Sequence, residues 1–241
     1  MMHSWTSFTD ACKAFGLAVG QTQTGQLERY YDLLVLRNRQ MNLTAITAFE
    51  EAQVLHFLDS AASGFFYQKE FADGERLIDV GTGAGFPGLV LKILFPALQI
   101  TLLDAQKKRT EFLKEVTGEL ALTGITVIHG RAEDIAKDAA HRECYDIACA
   151  RAVSALRILA EYLLPFVKTG GFALAYKTPD DGTECREAEN AVRILGGEAP
   201  DINDYVLPGT GITRRLVRIN KRENTPARYP RRTGMPEKRP L

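Results

Sequence analysis

The chain has 241 residues, 45% of them hydrophobic and 25% charged, the proportions of a globular domain and not of a disordered, collagen-like or coiled-coil chain. A net charge of zero hides an asymmetry: Arg214–Leu241 carries ten basic and two acidic residues, so this end is +8 and the first 213 residues are −8. An acidic body with a basic end points either to a polyanion met at one edge or to a solvated tail.

The opening segment, Met1–Asp10, has no basic flank leading into an apolar stretch, which argues against a secretory signal. Apolar residues at helical spacing follow: Leu27, Tyr30, Tyr31, Leu34 and Val35, then Val54, Phe57, Leu58, Ala61, Ala62 and Phe65. This spacing predicts a helical N-terminal extension over residues 1–70. Between the two groups, Asn38–Ile46 offers asparagine and threonine side chains to the backbone and reads as a loop.

After Gly74 short apolar runs alternate with helical segments. Strands are predicted at Arg76–Val80, Gln99–Leu103, Ile125–His129, Tyr145–Cys149 and Gly171–Tyr176. Helices are predicted at Pro87–Phe95, Gln106–Leu122, Arg131–Ala136, Ser154–Val167 and Thr183–Leu195. Such alternation implies βαβ crossovers and a mostly parallel sheet. Two more strands, near Asp204–Leu207 and Arg214–Asn220, have no long helix between them and should pair antiparallel at one edge. Residues 71–222 thus read as an α/β, Rossmann-like core, and 223–241, rich in proline and arginine, as an irregular basic tail. Lys92 splits the apolar run Leu89–Phe95, well short of the ~18 residues of a membrane span. Cys12, Cys144, Cys149 and Cys185 form no C-x-x-C pair, which disfavours a zinc cage or a disulfide framework. The expectation is a soluble, reduced, cytoplasmic protein with no bound metal.

The most informative stretch is Leu77–Gly88, where a strand runs into Gly81, Gly83 and Gly85 before Pro87 opens a helix. Glycines let a backbone turn sharply and approach a ligand, and a helix N-terminus supplies free N–H donors. Gly83, Gly85 and Gly88 also fit G-x-G-x-x-G, so a dinucleotide such as NAD is conceivable. Asp79, just before the first glycine, would repel a pyrophosphate and suits the amino group of the methionine half of S-adenosylmethionine. Asp104, ending the second strand, can accept from both hydroxyls of a ribose. Loops after the third and fourth strands, Gly130–Asp134 and Ala150–Val153, put Ala132, Glu133 and Arg151 at the same rim of the sheet, where ligands of open α/β folds bind.

Five motifs occur in order: Asn42–Ile46, His56–Ser60, Asp79–Gly88, Gly130–Asp134 and Ala150–Val153. Leu164-Pro165, Gly170-Gly171, Lys177 and the terminal Tyr229–Leu241 join them. Together they resemble the bacterial guanine-N7 methyltransferases of small-subunit (16S) ribosomal RNA, the glucose-inhibited division protein B family. The resemblance implies a class I S-adenosylmethionine-dependent methyltransferase fold with a seven-stranded sheet and an enzyme acting on rRNA or the 30S particle. It implies a cofactor site lined by Gly81, Phe86, Ala132, Glu133 and Arg151, to which the loop reading adds Asp79, Gly83 and Asp104. For the RNA, Asn38 and Asn42 on the N-terminal side and Arg228, Arg231, Arg232 and Lys238 in the tail are the candidate contacts. A monomer is expected, with no membrane partner.

Guanine N7 presents a lone pair on the open edge of the base and needs no deprotonation. The sequence suits such a target, because it has no Asn/Asp-Pro-Pro-aromatic segment to hold an exocyclic amine and its four histidines are dispersed. Cys149 has no preceding proline and reads as a buried strand thiol. Arg151 and Lys177, near the ends of their strands, are the candidates for orienting cofactor and RNA. A small-molecule substrate on the same fold is the alternative, against which the basic tail and the Asn38–Thr44 segment weigh.

Overall fold

The computed structural model describes residues 3–241. The N-terminal part is helical, as the spacing requires: α1 (Thr6–Ala14), α2 (Gln21–Met41), α3 (Phe49–Ala52), a π-helical turn (Gln53–Leu58), α4 (Asp59–Phe66) and α5 (Gln68–Ala72). Helix α2 buries Leu27, Tyr30, Tyr31, Leu33 and Leu34. It also runs four residues into the segment expected as a loop. Asn38 does not compete with the helix but bonds forward, its Oδ1 accepting from Thr44 N at 2.8 Å. Asn42, at φ +50°, closes the helix in the left-handed conformation that asparagine tolerates.

The sheet has seven strands: β1 (Arg76–Val80), β2 (Gln99–Asp104), β3 (Ile125–His129), β4 (Tyr145–Arg151), β5 (Val167–Lys177), β6 (Asp201–Val206) and β7 (Thr213–Asn220). The helices woven between and after them are α6 (Gly88–Leu94), α7 (Lys107–Glu119), α8 (Ala132–Ile135), α9 (Leu156–Leu163), α10 (Thr183–Ile194) and α11 (Met235–Lys238). Strand order is β3-β2-β1-β4-β5-β7-β6. The first five pair in parallel, while β7 is antiparallel to both β5 and β6. The expected edge pair is thus present. The chain winds outward from β1 in one direction and then from β4 in the other, so the carboxyl ends of these neighbours flank the switch point where open α/β sheets hold ligands.

One apolar layer packs the N-terminal helices with α6 and α7 against one sheet face, and a second packs α9 and α10 against the other. The helix expected over Ser154–Val167 stops at Leu163, and a 3₁₀ turn at Leu164–Phe166 leads into β5. Pro165 has no N–H for the α-helical ladder, and Val167 is already paired with Tyr145.

The tail is not the solvated appendage its composition suggests. Tyr229 and Pro230 are buried, Tyr229 within the α9–α10 layer, and Pro236 is buried in α11. Arg142 donates to Tyr229 O at 2.8 Å and to Thr225 O at 2.7 Å. Arg231 pairs with Glu161, which is 1% exposed, through Nη2–Oε2 at 2.6 Å and Nε–Oε1 at 3.0 Å. Among the described residues no helix is long and apolar enough to cross a membrane.

Candidate active site

The loop from β1 to α6 is held from beneath. Asp79 Oδ2 accepts from Thr82 Oγ1 at 2.6 Å and from Gly88 N at 2.8 Å, tying the two ends of the loop together. Any β-carbon at Gly88 would come within 2.8 Å of that same oxygen, so the position requires glycine. Asp79 is wholly buried, and its Oδ1 has no hydrogen-bond partner. Burial pushes its pKa up to about 6. The sequence reading had this carboxylate facing the ligand; the structure turns it inward, because a hydroxyl and an amide of its own loop claim it. From the N-terminal side Tyr30 donates to Ala84 O at 2.5 Å and stacks on Phe86. Phe86, 6% exposed, packs under the loop against Tyr30, His56 and Phe57 and is not on the crevice wall.

The crevice opens beyond the ends of β1, β2 and β3, with a free volume of about 110 Å³. Gly81, Asp104, Gly130–Glu133, Val153, Tyr162 and Glu237 contribute to its walls. Asp104 Oδ2 accepts from Gly83 N at 2.9 Å and Oδ1 from Gln106 N at 2.8 Å. Oδ2 also meets Arg109 Nη1 at 3.5 Å, so Oδ1 is the oxygen that keeps a lone pair for a hydroxyl. Glu133, 4% exposed, accepts from Gly234 N of the tail at 2.9 Å. Three carboxylates line the crevice against Arg131, with Arg109 paired to Asp104 at 3.5 Å, so the lining keeps a net negative charge, a poor berth for a pyrophosphate and a better one for a nucleoside carrying positive charge. The donor set therefore fits S-adenosylmethionine and speaks against NAD.

A second cavity, of about 400 Å³, lies beside the first. His56, Asp59, Arg151, Lys177, Tyr205 and Arg214 line it, and Val153 belongs to both cavities. The π-helical turn shapes this side. A wider turn leaves backbone carbonyls for other donors, and Arg151 Nη1 donates to Leu55 O at 2.9 Å. The same nitrogen pairs with Asp59 Oδ2 at 3.0 Å, and Arg214 Nε meets Oδ1 at 3.2 Å. Asp59 is 6% exposed, so two guanidiniums compensate one buried carboxylate. The Arg151 guanidinium carbon also lies 5.2 Å from the Phe86 ring centre, on which His56 stacks at 4.7 Å. Burial, with Arg151 close by, pulls the His56 pKa down to about 4, so this imidazole is neutral at neutral pH.

Lys177 lines the cavity, but its ammonium is engaged by Ser154 O at 2.6 Å and by Glu184. Glu184 also caps α9, accepting from Leu156 N at 2.8 Å. Lys177 therefore braces the loop after β4. Cys149 is fully buried and burial raises its thiol well above the ordinary range, which makes it inert. Of the expected RNA contacts, Asn42, Arg228, Arg232 and Lys238 are exposed, while Asn38 is spent on Thr44 and Arg231 on Glu161. Asp59, Arg214, Tyr205 and Val153 were not singled out as site residues. Asp59 falls in the motif His56–Ser60 and Val153 in Ala150–Val153, but nothing in the sequence of two edge strands marks Tyr205 or Arg214.

A family model described as rRNA small subunit methyltransferase G matches residues 23–209. The chain belongs to that family. Similar relatives named ribosomal RNA small subunit methyltransferase G include one from Alkaliphilus metalliredigens, 46% identical over 100% of both chains, and one from an Exiguobacterium species, 43% identical over 98% of both. Among solved structures, a mutant 16S rRNA (adenine(1408)-N(1))-methyltransferase from Catenulisporales acidiphilia gives a TM-score of 0.52 at 15% identity, over 65% of this chain and 91% of that one. A predicted O-methyltransferase from Agrobacterium tumefaciens gives 0.51 at 18% identity, over 68% and 78%. Such distant likenesses show the fold alone. Membership of the rRNA small subunit methyltransferase G family bears out the resemblance read from the five motifs and the expected enzyme class, and the neighbours bear out the Rossmann-like methyltransferase fold.

Proposed function

We propose that this chain transfers a methyl group from S-adenosylmethionine to N7 of one guanine in small-subunit ribosomal RNA, acting as a cytoplasmic monomer on rRNA or the assembling 30S particle. The relatives' names supply the substrate class. The observation that carries the reading is the shared wall: Val153 separates a small, acid-lined crevice at the ends of β1, β2 and β3 from a wider cavity lined by arginines and aromatic rings. Asp104 and the Gly130–Glu133 segment would hold the cofactor's ribose and adenine, and when bound it supplies an electrophilic methyl on a sulfonium. The second cavity takes the target base, with Tyr176 and Tyr205 offering flat apolar surface.

On this side the chain's work is positioning. Guanine N7 loses no proton when its lone pair attacks, and the histidine nearest the cavity is neutral and hydrogen-bonded to Thr44 at 2.7 Å. Arg151 and Arg214, tethered by Asp59, present fixed positive charge that disfavours protonation of N7 and meets the base's O6 or a phosphate. In-line placement at ~3–3.5 Å is the main source of rate in such a step. Exposed Arg228, Arg232 and Lys238, with Asn42 at the end of α2, are proposed to meet phosphates, which position without specifying. Arg231 and Asn38 take structural roles. The test is incubation with radiolabelled methyl donor and either naked rRNA or 30S particles, followed by mapping of the label. A single labelled guanine with N7 chemistry is expected. Label at an exocyclic amine, at ribose, or on no RNA at all overturns the reading.

A further inference from the structure

The tail returns to the crevice. Arg231 is locked on Glu161, the next residue along α9 is Tyr162, and Tyr162 OH lies 3.3 Å from Glu237 Oε1. Gly234 N reaches Glu133, and Thr233 Oγ1 reaches Asp134 at 3.1 Å. The segment from Thr233 to Lys238 is thereby laid across the end of the crevice beyond β3, and Glu237 is the tail residue on its wall. At the same end, Glu133 is buried with one oxygen accepting from the tail backbone, and Asp104, held by loop amides and Arg109, faces the ribose side. Among the described residues no hydrogen bond reaches Glu237 Oε2, so a carboxylate oxygen on an accessible side chain stands at the mouth.

Building on the cofactor reading above, we propose that Glu237 is a specificity-determining residue, whose carboxylate accepts from the exocyclic amine of the cofactor's adenine, with Tyr162 fixing its position. The chemistry is that of a charged acceptor facing a two-hydrogen donor. It favours adenine and rejects a 6-keto purine, whose oxygen would meet the carboxylate lone pair to lone pair. The tail is then part of the cofactor site, and ordering it and loading the cofactor assist one another.

The experiment is calorimetric titration of the full-length protein with S-adenosylhomocysteine and S-inosylhomocysteine, so no turnover is needed. The wild type should prefer the adenosyl ligand by at least about tenfold, and Glu237→Ala should weaken that ligand by about tenfold, the worth of one charge-assisted hydrogen bond. Glu237→Gln, which can turn an N–H toward a 6-keto oxygen, should narrow the preference by a similar factor. Unchanged adenosyl affinity and unchanged preference in both variants would overturn the assignment. So would an equal loss for both ligands, because a strap that merely supports the crevice gives no discrimination. If the wild type binds neither ligand, it is the cofactor reading itself that fails.

Discussion

Val153 lies over Gly81 so closely that a β-carbon there would stand 2.9 Å from Val153 Cγ2, and Gly81 itself holds φ +71°. The contact joins the glycine loop to the loop after β4, and it sits where the two cavities meet. Gly81→Ala therefore carries backbone strain of about 1–2 kcal/mol and pushes Val153 aside. Calorimetry should show at least a tenfold loss of S-adenosylhomocysteine affinity in a variant that remains folded by circular dichroism. Adding Val153→Ala should recover part of the loss, since residues in contact couple non-additively. Strict additivity would mean that the contact is incidental.

Arg151 and His56 both touch Phe86, yet their substitutions should differ widely. Arg151→Ala removes a fixed charge from the cavity and should slow single-turnover methyl transfer at least a hundredfold, or ~2.7 kcal/mol. His56→Gln should stay within tenfold. The rate should also be flat between about pH 7 and 9, because His56 titrates near 4 and Asp79 near 6. A slope-one rise across that window, abolished in the His56 variant, would establish a general base and sink the positioning mechanism.

The strands, the crossover helices and the antiparallel edge were legible because period-2 and period-3.6 patterns follow from burial on one face. The glycine loop was legible for a related reason: four glycines in eight residues have few other uses. What the sequence hid is direction. Asp79 stands where a ligand-facing acid would stand, but the Thr82 hydroxyl and the Gly88 amide compete for it from within a few residues and win. The Arg231–Glu161 pair spans 70 positions, and composition alone shows only a basic residue near the end of the chain. Arg214 likewise reaches the second cavity only through the sheet edge, where it pairs with Tyr205 of β6.

Asp79 and His56 make opposing contributions to stability in acid. The folded His56 titrates near 4 against an ordinary 6.5, so between these values the unfolded chain binds more protons and stability rises with pH. Asp79 titrates near 6 in the fold against 3.8, so there the native state binds more protons and stability falls as pH rises. Relative to the wild type, Asp79→Asn should gain stability from pH 4 to 6, and His56→Gln should lose it from pH 4 to 6.5. Urea unfolding at pH 4.5, 5.5 and 6.5 separates them, and parallel profiles for all three proteins would contradict both assignments.

The basic residues of the tail should fall into two groups. Arg231 neutralises a carboxylate that is 1% exposed, and Arg231→Ala leaves Glu161 charged in an apolar layer, at a cost of about 3–5 kcal/mol. That variant should lower the melting temperature by several degrees and loosen the segment that reaches Glu133 and carries Glu237. Arg228, Arg232 and Lys238 are exposed and make no ion pair among the described residues. Their single alanine variants should keep wild-type stability and cofactor affinity, while weakening rRNA binding and flattening its salt dependence by up to about one unit of slope each. Filter binding across a salt series measures the slope, and thermal melts measure the stability. If Arg231→Ala melts as the wild type and changes only the salt slope, the ion pair with Glu161 does not anchor the tail in solution. If the three exposed positions leave the slope unchanged, the RNA is held elsewhere, and Arg214 at the cavity with Asn42 at the end of α2 are the next residues to substitute.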